Sequence, residues 1–354
     1  MSSDIDISRS ERLAFERILR LKEELRDSLV VLGHHYQRRQ IIELSDFIGD
    51  SYALAACAAR AASARHIVFC GVAFMAESAA VLCQPGQTVF HPNSLAGCPM
   101  AQMAEIEQVE AAFDEISRNA GSEVVPLVYM NSDADVKAFC GAHGGLVCTS
   151  SNADAAMRWA LSRGRMVLFM PDEHLATNTA DLLGLDQRAR TLYDPGAVDG
   201  GADFELTAET RLVQWKGYCH VHTHFTPEQV EEARRAHPGC LVVVHPECPC
   251  EVTGLADRVG STSAIVEAVA DAPPGATIVV GTEVNLVNRL ALEHSGSKTV
   301  VPLSRSLCPN MFRINLTNLA ETLESLDAET FRVTVPDDVI RGARLALQRM
   351  LDLS

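Results

Sequence analysis

Apolar and polar positions alternate along this chain on two length scales. Residues 8–27, SRSERLAFERILRLKEELRD, carry Leu13, Ile18, Leu19 and Leu25 near one face of a 3.6-residue period, which predicts an amphipathic helix used for packing. After it, apolar runs of four to six residues, such as SLVVLG at 28–33 and CLVVVHP at 240–246, alternate with helix-length stretches. Runs that are apolar at every position belong to strands covered on both faces, so the pattern predicts short parallel strands between helices. Near the carboxyl end, Pro336 and Asp337 open a last helix with Val339, Ala343, Leu347 and Leu351 on one face.

The itinerary of strands and helices recurs three times. The first pass runs from SLVVLGHHYQ through FIGDS, HIVFCGV, the helix FMAESAAVL and TVFHP to Cys98. The second runs from VVPLVYMNS through LVCTSSN, MVLFMPD, EHLATNTADLL and TLYDP to Cys219, and the third from CLVVVHPE through DRVGSTS, TIVVGTE, VNLVNRLALEH and KTVVPL to Cys308. Ser51 to Cys98 spans 47 residues and so does Ser261 to Cys308, whereas Ser150 to Cys219 spans 69, which predicts an insertion around 196–214. The expected architecture is α/β with three pseudo-threefold-related αβα units. The first, 1–114, includes the amino-terminal helix; the second is 115–235; the third, 236–354, includes the carboxyl-terminal helix.

Length supports this division, because 354 residues exceed what one domain commonly holds. No apolar stretch approaches the roughly 20 residues needed to cross a bilayer, and MSSDIDISRSER lacks the build of a signal peptide, so a cytoplasmic protein with no membrane partner is expected. A net charge of −16, with no basic run of five or more, argues against nucleic acid as a partner. Eleven cysteines in such a compartment are expected to be thiols, some of them metal ligands or catalytic groups.

In parallel sheets ligands collect beyond the carboxyl ends of the strands, where helix starts offer free N–H groups. The recurring polar residues fall at those ends. The first strand of each unit leads to a pair spaced i, i+2: His34 with Tyr36, Tyr129 with Asn131, and His245 with Glu247. The second leads to a hydroxyl-bearing turn that suits an N-cap and an anion site: Ser51, Ser150, and Ser261 with Thr262. The fourth leads to Cys98, Cys219 or Cys308. Three thiols from three loops lack the fourth ligand of a closed zinc site but suit an iron–sulfur cube with one iron left open, which can act as a Lewis acid.

The remaining cysteines read mostly as packing. Cys57, Cys70, Cys83, Cys140 and Cys240 stand among Ala, Val and Leu, and Cys148 reads as part of a strand. A zinc site drawn from Cys248 and Cys250 with Cys219, His220, His222 and His224 is the competing metal arrangement. Asp172 and Glu173 stand at a helix start, where carboxylates cap. No phosphate-binding G-x-x-x-x-G-K-[ST], G-x-G-x-x-G or H-E-x-x-H motif is present.

Taken together, GHHYQ at 33–37, LSDFIGDS at 44–51, FCGVAFMAESA at 69–79, AGCPMAQM at 96–103, YMNSDADVKA at 129–138, CTSSNA at 148–153, WKGYCHVHTHF at 215–225, HPEC at 245–248, DRVGSTS at 257–263, GTE at 281–283 and CPNM at 308–311 resemble the quinolinate synthase family. The resemblance covers nearly the whole chain in the family's order. It implies a pseudo-threefold fold with the active site at the junction of the units, and one four-iron four-sulfur cluster per chain held by Cys98, Cys219 and Cys308. The implied reaction condenses iminoaspartate with dihydroxyacetone phosphate, losing phosphate and two waters, to give quinolinate for NAD synthesis. An L-aspartate oxidase or dehydrogenase would supply the iminoaspartate. By position, Tyr36, His245 and Glu247 would be catalytic, and His34, Ser51, Tyr129, Asn131, Ser150, Ser261 and Thr262 would bind substrate. One departure is visible: where some members carry C-x-x-C-x-x-C ending at the third ligand, this chain has Pro302 and Arg305, so a thiol switch of that type is not expected. The alternatives from other classes are an iron–sulfur sensor without turnover and a zinc-dependent hydrolase or lyase.

Overall fold

A computed structural model describes residues 8–60, 64–202 and 204–353; the segment MSSDIDI, read above as lacking a signal-peptide build, lies outside them. Three sheets form, and every strand pair in them is parallel. The first contains β1 (Leu29–His34), β2 (Phe47–Gly49), β3 (His66–Cys70) and β4 (Thr88–Phe90), in the order β2-β1-β3-β4. The second contains β5 (Val124–Tyr129), β6 (Leu146–Cys148), β7 (Met166–Met170), β8 (Arg190–Tyr193) and β9 (Leu212–Trp215), in the order β6-β5-β7-β9-β8. The third contains β10 (Leu241–Val244), β11 (Arg258–Val259), β12 (Thr277–Gly281) and β13 (Thr299–Pro302), in the order β11-β10-β12-β13. Every residue of β3, β5 and β7 is buried, as unbroken apolar runs require of strands with helices on both faces. The α/β class with three short parallel sheets is therefore as expected.

The insertion expected around 196–214, after the TLYDP strand, is corrected: the extra segment is β8 with the loop that follows it, and residues 212–214 belong to the inner strand β9. Strand β9, not the TLYDP strand β8, pairs with β7 and occupies the position that β4 and β13 hold in the other sheets. β8 is displaced to the edge, pairing only with β9. TLYDP and RLVQW are both plausible strands, and only the hydrogen-bond register decides which is inner: Val167 faces Leu212, while Arg190 faces Leu212 from the far side.

The chain forms two compact units. One runs through Cys98 and resumes at Leu307–Val335; the other comprises Pro99–Ser306 and resumes at Pro336. In the first, helix Arg9–Leu25 packs on helix Leu316–Glu324, with Phe15, Ile18, Leu29, Val31, Val68 and Phe90 meeting Ile314, Leu319 and Leu323. The expected face of the first helix is corrected here. Ala14, Phe15 and Ile18 are buried, while Leu13 and Leu19 are 54% and 49% exposed, because Phe15 and Ile18 define the stripe. In the second unit, helix Asp337–Asp352 crosses helix Ala134–Ala142 with backbones touching. A Cβ at Gly141 would stand 2.0 Å from the carbonyl oxygen of Gly342. The last helix buries Ala343, Ala346, Leu347 and Met350, close to the expected face.

Candidate functional site

In the first unit, β1 ends at His34, whose ring meets that of Tyr36 edge-on at 4.8 Å between centroids. The Tyr36 N–H donates to His34 Nδ1 at 3.2 Å, so Nδ1 is an acceptor and the ring's hydrogen lies on Nε2 when the histidine is neutral. Both side chains are buried and share one side, as the i, i+2 spacing implies. Ser51 opens helix Ser51–Arg60 but is not its cap. Asp50 performs that role, accepting from the Ala53 N–H at 2.9 Å, which leaves the Ser51 hydroxyl for other use.

The loops of Cys98 and Cys308 both belong to this unit, and three side chains tie them to the Tyr36 turn. Gln37 donates to the Met311 carbonyl at 3.2 Å, Arg38 to the Ile314 carbonyl at 3.1 Å, and Asn93 to the Arg313 carbonyl at 3.2 Å. Arg38 also lies over the Phe312 ring. The short turn Met311–Arg313 would otherwise leave these carbonyls without a helical partner. Cys308, three residues before it, is thereby held in register with Tyr36 and with the loop that ends in Cys98.

In the second unit a buried polar chain forms. Tyr129, the last residue of β5, donates its hydroxyl to Glu247 Oε1. Glu247 Oε2 meets His222 Nδ1 at 2.7 Å, and His222 Nε2 meets the Thr282 hydroxyl at 3.1 Å. His245 stacks on His222 with centroids 4.3 Å apart and planes 13° from parallel, and its Nδ1 is 4.0 Å from Glu247 Oε1. Glu247 is 2% exposed and His222 1%. Burial alone would raise the Glu247 pKa. The charges of His222 and His245 and the hydrogen bonds from His222 and Tyr129 outweigh it and hold the carboxyl well below its usual range.

A second buried carboxyl behaves oppositely. Asp172 Oδ1 accepts from the Leu175 N–H at 2.7 Å and caps helix Glu173–Leu182, as expected, but its Oδ2 has no hydrogen-bond partner. Burial first, then the charge of Glu247, pushes the Asp172 carboxyl well above its ordinary value. The two carboxyls are thus pushed in opposite directions, Glu247 down and Asp172 up, a division that supports acid–base chemistry.

Of the hydroxyl turns in this unit, Ser261 is a true N-cap, accepting from the Ala264 N–H at 3.4 Å. Thr262 beside it is buried with its hydroxyl unpartnered, at the first turn of a ten-residue helix. Ser150 is half-buried. The following helix begins after Asn152, whose side chain turns back to the Thr149 N–H at 2.8 Å. Asn131 is half-buried, two residues past Tyr129.

Exposure separates the cysteines. Cys98, Cys219 and Cys308 are half-buried on loops. Cys70, Cys140, Cys148, Cys240 and Cys248 are buried, and burial pushes Cys70 and Cys140 up to about 12, holding them as thiols. Cys57 and Cys83 were expected in the core but are only half-buried, Cys57 on helix Ser51–Arg60 and Cys83 at the carboxyl-terminal cap of helix Ala73–Leu82. A ligand must be a thiolate, so the donor chemistry of the three loop cysteines fits a metal group and that of the packing cysteines does not. The competing zinc arrangement is not assembled. Cys250 and His224 are exposed, and Cys248 is buried among Phe225, Val230 and Val252.

The sequence reading missed His222 as a member of the polar chain. Its signal was present in CHVHTHF, but three alternate histidines look alike until the turn shows that only His222 points inward. Thr282 was missed because its role depends on His222, 60 residues away, and the raised pKa of Asp172 because it depends on burial and on the distant Glu247.

A sequence model described as Quinolinate synthetase A protein matches residues 16–352. The chain belongs to the quinolinate synthase family. The quinolinate synthase of Acidobacterium capsulatum is 46% identical over 345 residues, 96% of this chain and 92% of that protein. That of Geobacillus kaustophilus is 46% identical, covering 98% and 95%, and that of Halobacterium salinarum 48%, covering 96% and 91%. The match to the quinolinate synthase family runs through both compact units and includes every residue from His34 to Cys308 named above.

Proposed function

We propose that the protein is a quinolinate synthase that condenses iminoaspartate with dihydroxyacetone phosphate, releasing phosphate and water, in NAD biosynthesis. Membership of the family supports the activity. The observation that carries the chemistry is the buried chain Tyr129–Glu247–His222–Thr282, whose carboxylate is held below its usual pKa while its charge helps to push that of Asp172 above.

Cys98, Cys219 and Cys308 are the residues to hold one four-iron four-sulfur cluster. When bound, such a cluster supplies an open iron, a Lewis acid for a substrate carboxylate or hydroxyl. The rest of the work falls to side chains. Glu247 takes a proton in enolisation, with Tyr129 and His222 stabilising its charge before transfer, and His245 stands at 4.0 Å to receive or return it. Tyr36, oriented by His34, serves proton transfer and positioning. Thr262, with its unpartnered hydroxyl, and Ser261 at the same helix start bind a phosphate or carboxylate, assisted by Ser51, Ser150 and Asn131. A protein with a net charge of −16 needs such local donors to retain polyanionic substrates. The cytoplasm is its compartment, with an L-aspartate oxidase or dehydrogenase as the source of iminoaspartate.

Anaerobic purification tests this. About four irons per chain and quinolinate formed from the two substrates are expected. An iron-free protein that remains active, or an iron-loaded one that makes no quinolinate, overturns the reading. Glu247→Gln should lower turnover far more than iron content.

A further inference from the structure

We infer that Cys219, His222 and Glu247 form a second, mononuclear metal site that takes one thiophilic divalent cation, Zn2+ above all, when no cluster is bound. The thiol sulfur, an imidazole nitrogen and a carboxylate oxygen of these residues all lie within 4.8 Å of one another. Among the described residues they are the one group of His, Cys and acidic side chains so close. The donor set of one sulfur, one nitrogen and one oxygen suits zinc, which binds such atoms at about 2.0–2.3 Å and accepts three protein ligands with a fourth position open.

The supports are rigid. Cys219 and His222 belong to one tight turn, whose Cys219 carbonyl accepts from the N–H groups of His222 and Thr223, each at 3.0 Å. Ser306 closes the same turn through the Val221 carbonyl at 2.7 Å. Glu247 is held from the other side by Asn178, which donates to the carbonyls of Pro246 and Cys248, both at 2.8 Å. Thr282 at His222 Nε2 is the outer partner that metal-binding histidines require. With Nε2–H donating to the Thr282 hydroxyl, Nδ1 presents its lone pair to the cation. The cation replaces the proton shared between His222 Nδ1 and Glu247 Oε2, and that 2.7 Å separation widens by about 0.5 Å to fit tetrahedral ligands.

Binding here is independent of the iron–sulfur reading. Only its consequence rests on that reading: a cation on Cys219 and Glu247 withholds one cluster ligand and one catalytic carboxylate, so zinc blocks iron loading. The test is an anaerobic Co2+ titration of the iron-free protein, followed by displacement with Zn2+. One equivalent with a near-ultraviolet thiolate-to-cobalt band and visible bands of a four-coordinate ion is expected. Cys219→Ala abolishes the thiolate band. His222→Ala and Glu247→Gln weaken binding more than tenfold, and Thr282→Val, which leaves all three ligands in place, weakens it roughly 10–100-fold. Cys98→Ala and Cys308→Ala leave the affinity within about twofold, since neither supplies a ligand. The inference is overturned if no cobalt binds, if uptake requires Cys98 or Cys308, or if the thiolate band survives in Cys219→Ala. Wild-type protein that takes up no iron under reconstitution would overturn the iron–sulfur reading alone and leave the cobalt result standing.

Discussion

Replacing Tyr129 by Phe removes one hydroxyl and nothing else from the centre of the buried chain. The ring stays in the same packing, so the lost quantity is the hydrogen bond to the Glu247 carboxylate. A bond to a charged acceptor is worth about 1.5–3 kcal/mol, more than the neutral average, because the carboxylate is 2% exposed and water does not replace the donor. With a urea dependence of about 2 kcal/mol per molar, the unfolding midpoint of the second unit should fall by about 0.7–1.5 M. Both tryptophans, Trp159 and Trp215, belong to that unit, so their fluorescence reports its unfolding without a signal from the other. A double-mutant cycle isolates the bond. In a Glu247→Ala background the cavity cost is common to both arms, and Tyr129→Phe should cost less than in the wild type by the worth of the bond to Glu247, which is already gone there. Equal losses in both backgrounds would refute the argument that the hydroxyl acts through Glu247.

Further outcomes follow from the same geometry. Glu247 has a folded pKa below its ordinary 4.5, so its contribution is fully present above that value and is lost as pH falls below it; urea midpoints of Glu247→Gln should decline less steeply than wild type from about pH 5 downward. Asn93→Ala and Gln37→Leu free the turn after Cys308, and both should raise the rate of iron loss to a chelator while leaving the fluorescence transition of the second unit unmoved. Cys140→Ala, a change at a packing thiol, should keep full iron content, whereas Cys219→Ala should not. Gly141→Ala sets a methyl against the backbone of Gly342, which cannot rotate away, and should destabilise the second unit by about 1–3 kcal/mol or more in the same assay.

Pairs and turns were legible where a local rule governs them. The i, i+2 spacing brought His34 to Tyr36 and His245 to Glu247, because the strand geometry persists one step past the strand. Asp172 was recognisable as a cap from its place before a helix, but its raised pKa was not, since that depends on burial and on Glu247, which is 75 residues away in the chain. Ser51 looked like a cap because hydroxyls suit that position, and Asp50, one residue earlier, takes it. The stripe of the first helix was misjudged at Leu13 and Leu19 because leucine was weighted over the phenylalanine that meets helix Leu316–Glu324.

The sequence by itself determined the fold class, the threefold recurrence of strand ends, and the family, because apolar period and polar punctuation are local and survive being read in one dimension. Position in that recurrence also put forward Cys98, Cys219 and Cys308 as candidates among eleven cysteines. Only the tertiary structure decided which of β8 and β9 is the inner strand, which of three alternating histidines turns inward, and which of two buried carboxyls has its pKa lowered and which raised. Each of those outcomes is set by what packs against a residue from a distant segment. Hydrogen-bond register, side-chain direction and the local electric field are properties of that packing, not of the order of the residues.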